Sequence, residues 1–222
     1  MLYFIPTPIG NLEDMTFRAV KTLQEVDYIY AEDTRTSKKL MQHFGITTPL
    51  RSFHAFNEHK EIENIIELLD SGVNIALISD AGTPGISDPG FLLARACREA
   101  HILVSTLPGA TALIPALVSS GLPCDKFHFE GFLPHKKGRK KRLEYIANLP
   151  ETVVLYESPH RLGKCIEELE ALCGSDRKAT VCREISKLHE EINHGTLAEL
   201  KARFPKGKKV KGEIVIVVDR KT

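Results

Sequence analysis

No stretch of the 222 residues comes near the ~18 consecutive apolar residues that a membrane-spanning helix needs. The amino terminus, Met1-Leu-Tyr-Phe-Ile-Pro6, lacks the basic stretch and cleavage site of a secretory leader and reads as a first buried strand. No C-x-x-C pair occurs among the cysteines at 97, 124, 165, 173 and 182, and their odd number argues against a disulfide framework or a zinc site. Cys97, Cys165 and Cys173 fall in predicted helices and Cys182 in a predicted strand, so reduced thiols packed in a core are expected, in a cytoplasmic setting. Also missing are G-x-G-x-x-G, G-x-x-x-x-G-K-[ST] and G-x-S-x-G, which removes the usual dinucleotide fold, the P-loop NTPases and the nucleophile elbow of α/β hydrolases. Net charge is small, 30 Lys and Arg against 29 Asp and Glu, so any nucleic-acid affinity must come from how charge is distributed. Repeats and low-complexity segments are absent.

What is present is a long punctuated loop, Ser79-Asp-Ala-Gly-Thr-Pro-Gly-Ile-Ser-Asp-Pro-Gly90. It follows the apolar run 73–78, which reads as a buried parallel strand, and precedes a predicted helix with Asp88 as N-cap and Pro89 at its first position. Glycines let backbone approach a ligand and prolines stiffen the loop. Loops 7–11, 32–37 and 107–111 also end predicted parallel strands, so all four should converge on one rim, where open α/β sheets bind ligands. That rim would hold Asn11, Glu32, Asp33, Arg35, Asp80 and Asp88. Phe17, Val20, Leu23 and Val26 form an apolar stripe on a first helix, and a second helix resumes over Lys38 to Phe44.

The fold class is α/β in two domains, 1–113 with a mainly parallel sheet and 114–222 with a mixed sheet. Predicted strands at 127–132, 152–156, 178–183, 190–194 and 213–219 build the second, with an antiparallel hairpin around 185–190.

Several strings in order resemble one family: Pro6 to Leu12, Ala31 to Ser37, Ser79 to Gly90, Pro108-Gly-Ala, Ser120 to Pro123, Phe129 to Pro134, Tyr156 to Leu162, Arg183 to Glu190 and Gly212-Glu-Ile-Val. The chain is similar along essentially its whole length to bacterial small-subunit ribosomal RNA cytidine 2′-O-methyltransferases of the tetrapyrrole-methylase superfamily. The resemblance implies S-adenosyl-L-methionine bound between two α/β domains, a homodimer, and as substrate a cytidine ribose in the decoding region of 16S ribosomal RNA, free or in the assembled small subunit. It places donor contacts at Pro8, Asp80, Gly82, Thr83, Pro108, Gly109, Ala110, Thr111, Tyr156 and the segment near Gly212. Tetrapyrrole enzymes of the superfamily have Gly-Asp-Pro where this chain has Ser79-Asp80-Ala81, so the Asp is kept and the Pro is not.

Methyl transfer to a ribose hydroxyl asks for alignment and for a base or cation near the oxygen. Asp33, Arg35, Glu157 and Lys187 are the catalytic candidates, with no metal. Each has a plainer reading: Asp33 as a helix cap, Arg35 paired with Glu32 or Asp33, Lys187 a solvated charge or paired with Glu184, and His160 a helix-start hydrogen-bonder. His135 to Arg142 holds six Lys or Arg in eight positions, and Lys201 to Lys211 six in eleven. Lys136, Lys137, Arg139, Lys140, Lys141 and Arg142 are expected to meet RNA phosphates, the alternative being a solubilising loop. Two other functions stay open: methylation of a small tetrapyrrole-like substrate, and a non-catalytic RNA- or adenosylmethionine-binding module.

Overall fold

A computed structural model describes residues 1–221, and the chain divides into two compact units, Met1–Thr111 and a second beginning at Ala112. In the first, β1 (Leu2–Phe4), β2 (Tyr28–Ala31), β3 (Leu50–Ser52), β4 (Ile75–Ile78) and β5 (Val104–Thr106) form a parallel sheet in the order β3-β2-β4-β1-β5. The two-residue period of a strand sorts its side chains onto two faces. Leu2, Phe4, Tyr30, Ile75 and Leu77 take one face, beneath Ile65, Leu69, Leu93 and Cys97 of α3 (Glu58–Asp70) and α4 (Phe91–Glu99). Ile5, Ile29, Ala31, Ala76 and Ile78 take the other, beneath Ala19, Leu23 and Met41 of α1 (Phe17–Glu25) and α2 (Thr34–His43). Burial on both faces is why β4 is continuously apolar rather than alternating.

Three local expectations are corrected. Phe17 does not share a buried stripe with Leu23 and Val26 but is almost fully exposed. Each step of three residues falls about 60° short of a full turn, so a strict spacing of three walks round the helix. The second helix starts at Thr34 rather than Lys38, because the Asp33 carboxylate accepts from the Arg35 N–H and caps it. Helix α4 starts at Phe91 with Gly90 as N-cap, not at Pro89 with Asp88. Gly90 has φ 137°, and a Cβ there would lie 2.9 Å from Phe4 and 3.1 Å from Leu77.

The second unit contains β6 (Phe127–Phe132), β7 (Thr152–Glu157), β8 (Lys178–Arg183), β9 (Glu191–Thr196) and β10 (Ile214–Val218) in the order β6-β7-β10-β8-β9. Only the β6–β7 pair is parallel, so the sheet is mixed, and β8–β9 is the antiparallel hairpin. One face packs Val153, Leu155, Val181 and Ile216 against α6 (Arg139–Ala147), α7 (Leu162–Cys173) and α8 (Leu197–Arg203). The other packs Val154, Cys182, Val215 and Val217 against Ala116 and Leu117 of α5 (Leu113–Ser119). Helix α8 is unanticipated. A capping box starts it, with Glu199 N–H donating to Thr196 Oγ1 (3.2 Å) and Thr196 N–H to Glu199 Oε2 (2.8 Å).

Cys97, Cys165 and Cys182 are buried thiols, and burial pushes Cys97 up to about 11 and Cys182 to about 12. Cys124, by contrast, is exposed rather than packed. Among the described residues no helix is long and apolar enough to cross a membrane.

Candidate functional site

Because the first sheet is parallel, the loops after its five strands leave from one edge. Three of them are stitched together by main-chain and hydroxyl hydrogen bonds. Thr7 N–H donates to Gly82 O and Gly82 N–H to Thr7 O, both at 2.9 Å. Thr7 Oγ1 donates to Ser79 O (3.1 Å), Ser79 Oγ to Gly82 O (3.2 Å) and Thr83 Oγ1 to Ala110 O (3.0 Å). Gly82 has φ 82°, and a Cβ on Gly109 would lie 2.7 Å from Pro6 Cβ, so these glycines are required where loop backbones approach. Asp80, Gly82, Thr83, Pro108, Gly109, Ala110 and Thr111 are thus brought together, with Pro8 beside Thr7. The cradle is built from backbone, which suits a ligand gripped by main-chain groups.

The carboxylates on this edge divide by their partners. Asp33 accepts from the Arg35 N–H (2.8 Å), Nε (3.1 Å) and Nη2 (2.7 Å), and this arginine holds its carboxyl down at about 2. A carboxylate held there is a poor proton acceptor near neutral pH, and Arg35 is its partner. Asp80 Oδ1 accepts from the Asp33 N–H (3.0 Å), tying the β2 and β4 loops together. Asp88 has the opposite environment: burial, then the charges of Glu32 and Asp80, push it up to about 6 against a hydrogen bond from Ser79. Glu32 is also raised, by burial and by Asp80, while His54 opposes.

His54 and Glu58 belong to the same edge and were not singled out from sequence. Asn57 Oδ1 accepts from the His54 N–H (2.7 Å), and Glu58 Oε1 accepts from the Gly90 N–H (3.2 Å).

In the second unit, the Glu157 carboxylate, a catalytic candidate by sequence, is committed to internal partners. Its side chain is 0% exposed and ion-paired to Arg161 Nη2 (2.7 Å) and Arg139 Nη2 (3.3 Å), and Oε1 also accepts from the Ser158 N–H (2.7 Å). Three internal donors are thus directed at its two oxygens. Arg139 likewise leaves the RNA-facing set: its side chain is 6% exposed and pairs with Glu168 (2.7 Å) as well. The two arginines donate onward to Pro134 O (3.3 Å) and Leu133 O (3.4 Å), the root of the basic loop. Tyr156 packs edge-on against Phe129 and Phe132.

The adjacent ends of β7, β8 and β10 place Glu157, Arg183 and Ile214 side by side, so Tyr156 and Gly212 flank the same edge. Beyond β8, Lys187 Nζ pairs with Glu184 (2.9 Å) and Glu213 (3.1 Å). Burial opposes the Lys187 charge, but those two carboxylates outweigh it and raise its pKa, so it is a fixed cation rather than a base. Glu184 (φ 54°) and Ser186 (φ 66°) hold left-handed backbone in that turn, and any Cβ on Gly212 (φ 95°) would collide with the Glu184 side chain. His160 enters through its backbone, donating to Ser158 Oγ (3.3 Å).

Lys136, Lys137, Lys140 and Lys141 are exposed. Arg142 is half-exposed, bonded to Glu130 and stacked 4.7 Å from the Tyr145 ring centre. In the second basic string Lys201 pairs with Glu170 (2.6 Å), while Arg203, Lys206, Lys208, Lys209 and Lys211 are exposed. Among the described residues no group of three or more His, Cys, Asp or Glu is arranged to hold a metal ion.

The architecture is that of crystal structures of diphthine synthase (TM-score 0.71, 16% identity, 98% of this chain and 89% of that one) and of uroporphyrin-III-C-methyltransferase from Thermus thermophilus (0.67, 20%, 98% and 93%). In sequence the chain is 52% identical over 219 residues to Ribosomal RNA small subunit methyltransferase I of Synechocystis sp., covering 98% of this chain and 78% of the relative. It is 48% identical over 220 residues to the protein of that name from Escherichia coli O157:H7, covering 98% and 77%. Residues 1–201 match the Tetrapyrrole (Corrin/Porphyrin) Methylases. A match of that extent, on the α/β architecture and glycine-locked loops described above, places this chain in the tetrapyrrole methylase family.

Proposed function

We propose that this chain methylates the ribose 2′-hydroxyl of a cytidine in small-subunit ribosomal RNA, using S-adenosyl-L-methionine. The observation that carries the reading is identity of about half, along 98% of the chain, with proteins named for methylating that RNA. The stitched cradle supports it, since Gly82, Thr83 and Pro108 to Thr111 present backbone at a close approach where Gly109 admits no side chain. When bound there, S-adenosyl-L-methionine supplies an electrophilic methyl group. The protein's share is to align the hydroxyl and take its proton.

Asp88 is the carboxylate suited to that proton, because it changes protonation at about pH 6 while Asp33 is locked as a cap. The exposed lysines of 136–141 suit phosphate contact, which fixes register without reading sequence. Lys187 is kept as a fixed positive charge beside Gly212, available to a developing negative charge. The homodimer and cytoplasmic setting implied by the resemblance belong to the same proposal.

Incubation with methyl-labelled donor and either undermethylated small subunits or a porphyrinoid tests it. Label in ribosomal RNA, at a 2′-oxygen, is the expected result. Label in the porphyrinoid alone replaces the substrate class, and label in neither leaves a binding module.

A further inference from the structure

The first unit exposes three aromatic side chains among its described residues, Phe17 (97%), Phe56 (99%) and Phe91 (65%). All three lie at the carboxyl edge of the sheet, where the ligand loops are: Phe17 opens α1, Phe91 opens α4, and Phe56 sits in the loop between β3 and α3. A single exposed apolar residue means little. Two of these three, however, start from backbone that is held in place on neighbouring helices.

Phe56 is the tip of a turn closed by Asn57. His54 N–H donates to Asn57 Oδ1 (2.7 Å), Asn57 N–H to His54 Nδ1 (3.2 Å) and Asn57 Nδ2 to Ser52 O (3.1 Å). The His54 ring abuts Phe56 edge-on at 6.0 Å. Phe91 is fixed by Gly90, whose backbone is pressed against Phe4 and Leu77 and whose N–H reaches Glu58, two residues past Phe56. Helices α3 and α4 pack side by side over the same core, so the two rings project from neighbouring helix starts. Exposed cations accompany them: Arg95 lies 5.4 Å from the Phe91 ring centre, and Lys60 follows Phe56. On α2, the helix that follows β2, Arg35, Lys38 and Lys39 are also exposed.

We infer that Phe56 and Phe91 are a stacking platform for unpaired bases of single-stranded RNA next to the methylated nucleotide, an inference that rests on the RNA substrate proposed above. A planar ring held outward, beside cations that can take the adjoining phosphates, is the arrangement single-strand binders use. Stacking tolerates any base, because every base has a π face. The nucleotide to be modified must reach the ligand loops on this edge, so its neighbours in the strand pass over these rings.

Methyl-transfer kinetics with undermethylated small subunits test this. The Phe56→Ala/Phe91→Ala double variant is expected to raise KM for RNA roughly five- to hundred-fold with kcat within about twofold, the range that loss of a stacked base produces. Donor affinity by calorimetry should stay unchanged. Phe56→Trp/Phe91→Trp should keep KM within about twofold, whereas the Leu pair, which retains apolar area without a ring, should behave like Ala. Phe17→Ala, as exposed but on the opposite face, should leave KM unaltered. Normal KM in the double Ala variant, or normal KM in the Leu pair, overturns the platform. A change in sedimentation from dimer to monomer overturns it too, giving the surface to a second copy of the chain. Failure of the unaltered chain to label any RNA removes the substrate reading itself, and the platform with it.

Discussion

The functional edge of the first sheet and the corresponding edge of the second handle charge in opposite ways. In the first unit the loops are joined by backbone, and Glu32 and Asp88 are carboxylates displaced upward by burial and by neighbouring carboxylates, Asp80 among them for both. In the second, charges meet opposite ones: buried Glu157 with Arg139 and Arg161, half-buried Lys187 with Glu184 and Glu213. A motif of charged residues therefore has two fates. Paired and desolvated, it fixes loops; crowded with like charge and half-open, it holds its proton more readily and is suited to moving one.

The sharpest way to break that contrast is to remove one partner of the buried network. Glu157→Gln leaves Arg161 without its carboxylate and Arg139 with Glu168 alone, and breaking a buried pair costs about 3–5 kcal/mol. An unfolding free energy lowered by that much in urea titration is expected at pH 7, together with loosening of the Leu133–Pro134 root. A change below about 1 kcal/mol would mean the pairs are solvated after all.

That network also marks where sequence reading ran out. The loop Ser79 to Gly90 was legible because glycine and proline punctuation after a buried parallel strand leaves few alternatives. The β8–β9 hairpin and the two-unit α/β architecture followed from strand periodicity. The string 135–142 misled because it looks uniformly basic, yet Arg139 shares a helical face with Leu143 and Ile146 and so points inward. Helix α8 had a readable start in Thr196-x-x-Glu199, hidden by attention to the lysines after it. The Asn57 turn had no such signal, since closing it takes Ser52 and His54 in three dimensions.

A second prediction sharpens the titrating side. Turnover should rise with pH through about 6 and then level, as Asp88 loses its proton. Asp88→Asn should cut kcat by about a hundredfold or more while leaving donor affinity in place. Stability moves the other way. Because the folded carboxyl is raised from 3.8 to about 6, its contribution is favourable at low pH and is lost as pH climbs through 6. The displacement corresponds to about 3 kcal/mol undiscounted, and to about 1 kcal/mol for a half-open group. Asp88→Asn should thus be about 1 kcal/mol more stable than the parent at pH 8 and equal to it near pH 3.5. Equal stability at pH 8 with normal turnover would return Asp88 to the ordinary surface.

The smallest expected effect separates buried from exposed charge within one string. Lys136, Lys137 and Lys140 stand in solvent, whereas Arg139 among them is internal. Each phosphate neutralised on a single strand adds about 0.7 to the slope of log affinity against log salt. Replacing the three lysines with alanine should therefore lower that slope by about 2, with unfolding unaffected within about 0.5 kcal/mol. Arg139→Lys should do the reverse, lowering stability and leaving the slope alone, because a lysine cannot reach Glu157, Glu168 and Pro134 at once. If the slope follows Arg139 instead, the ion network opens when RNA binds, and the division between paired and titrating charge fails in the second unit.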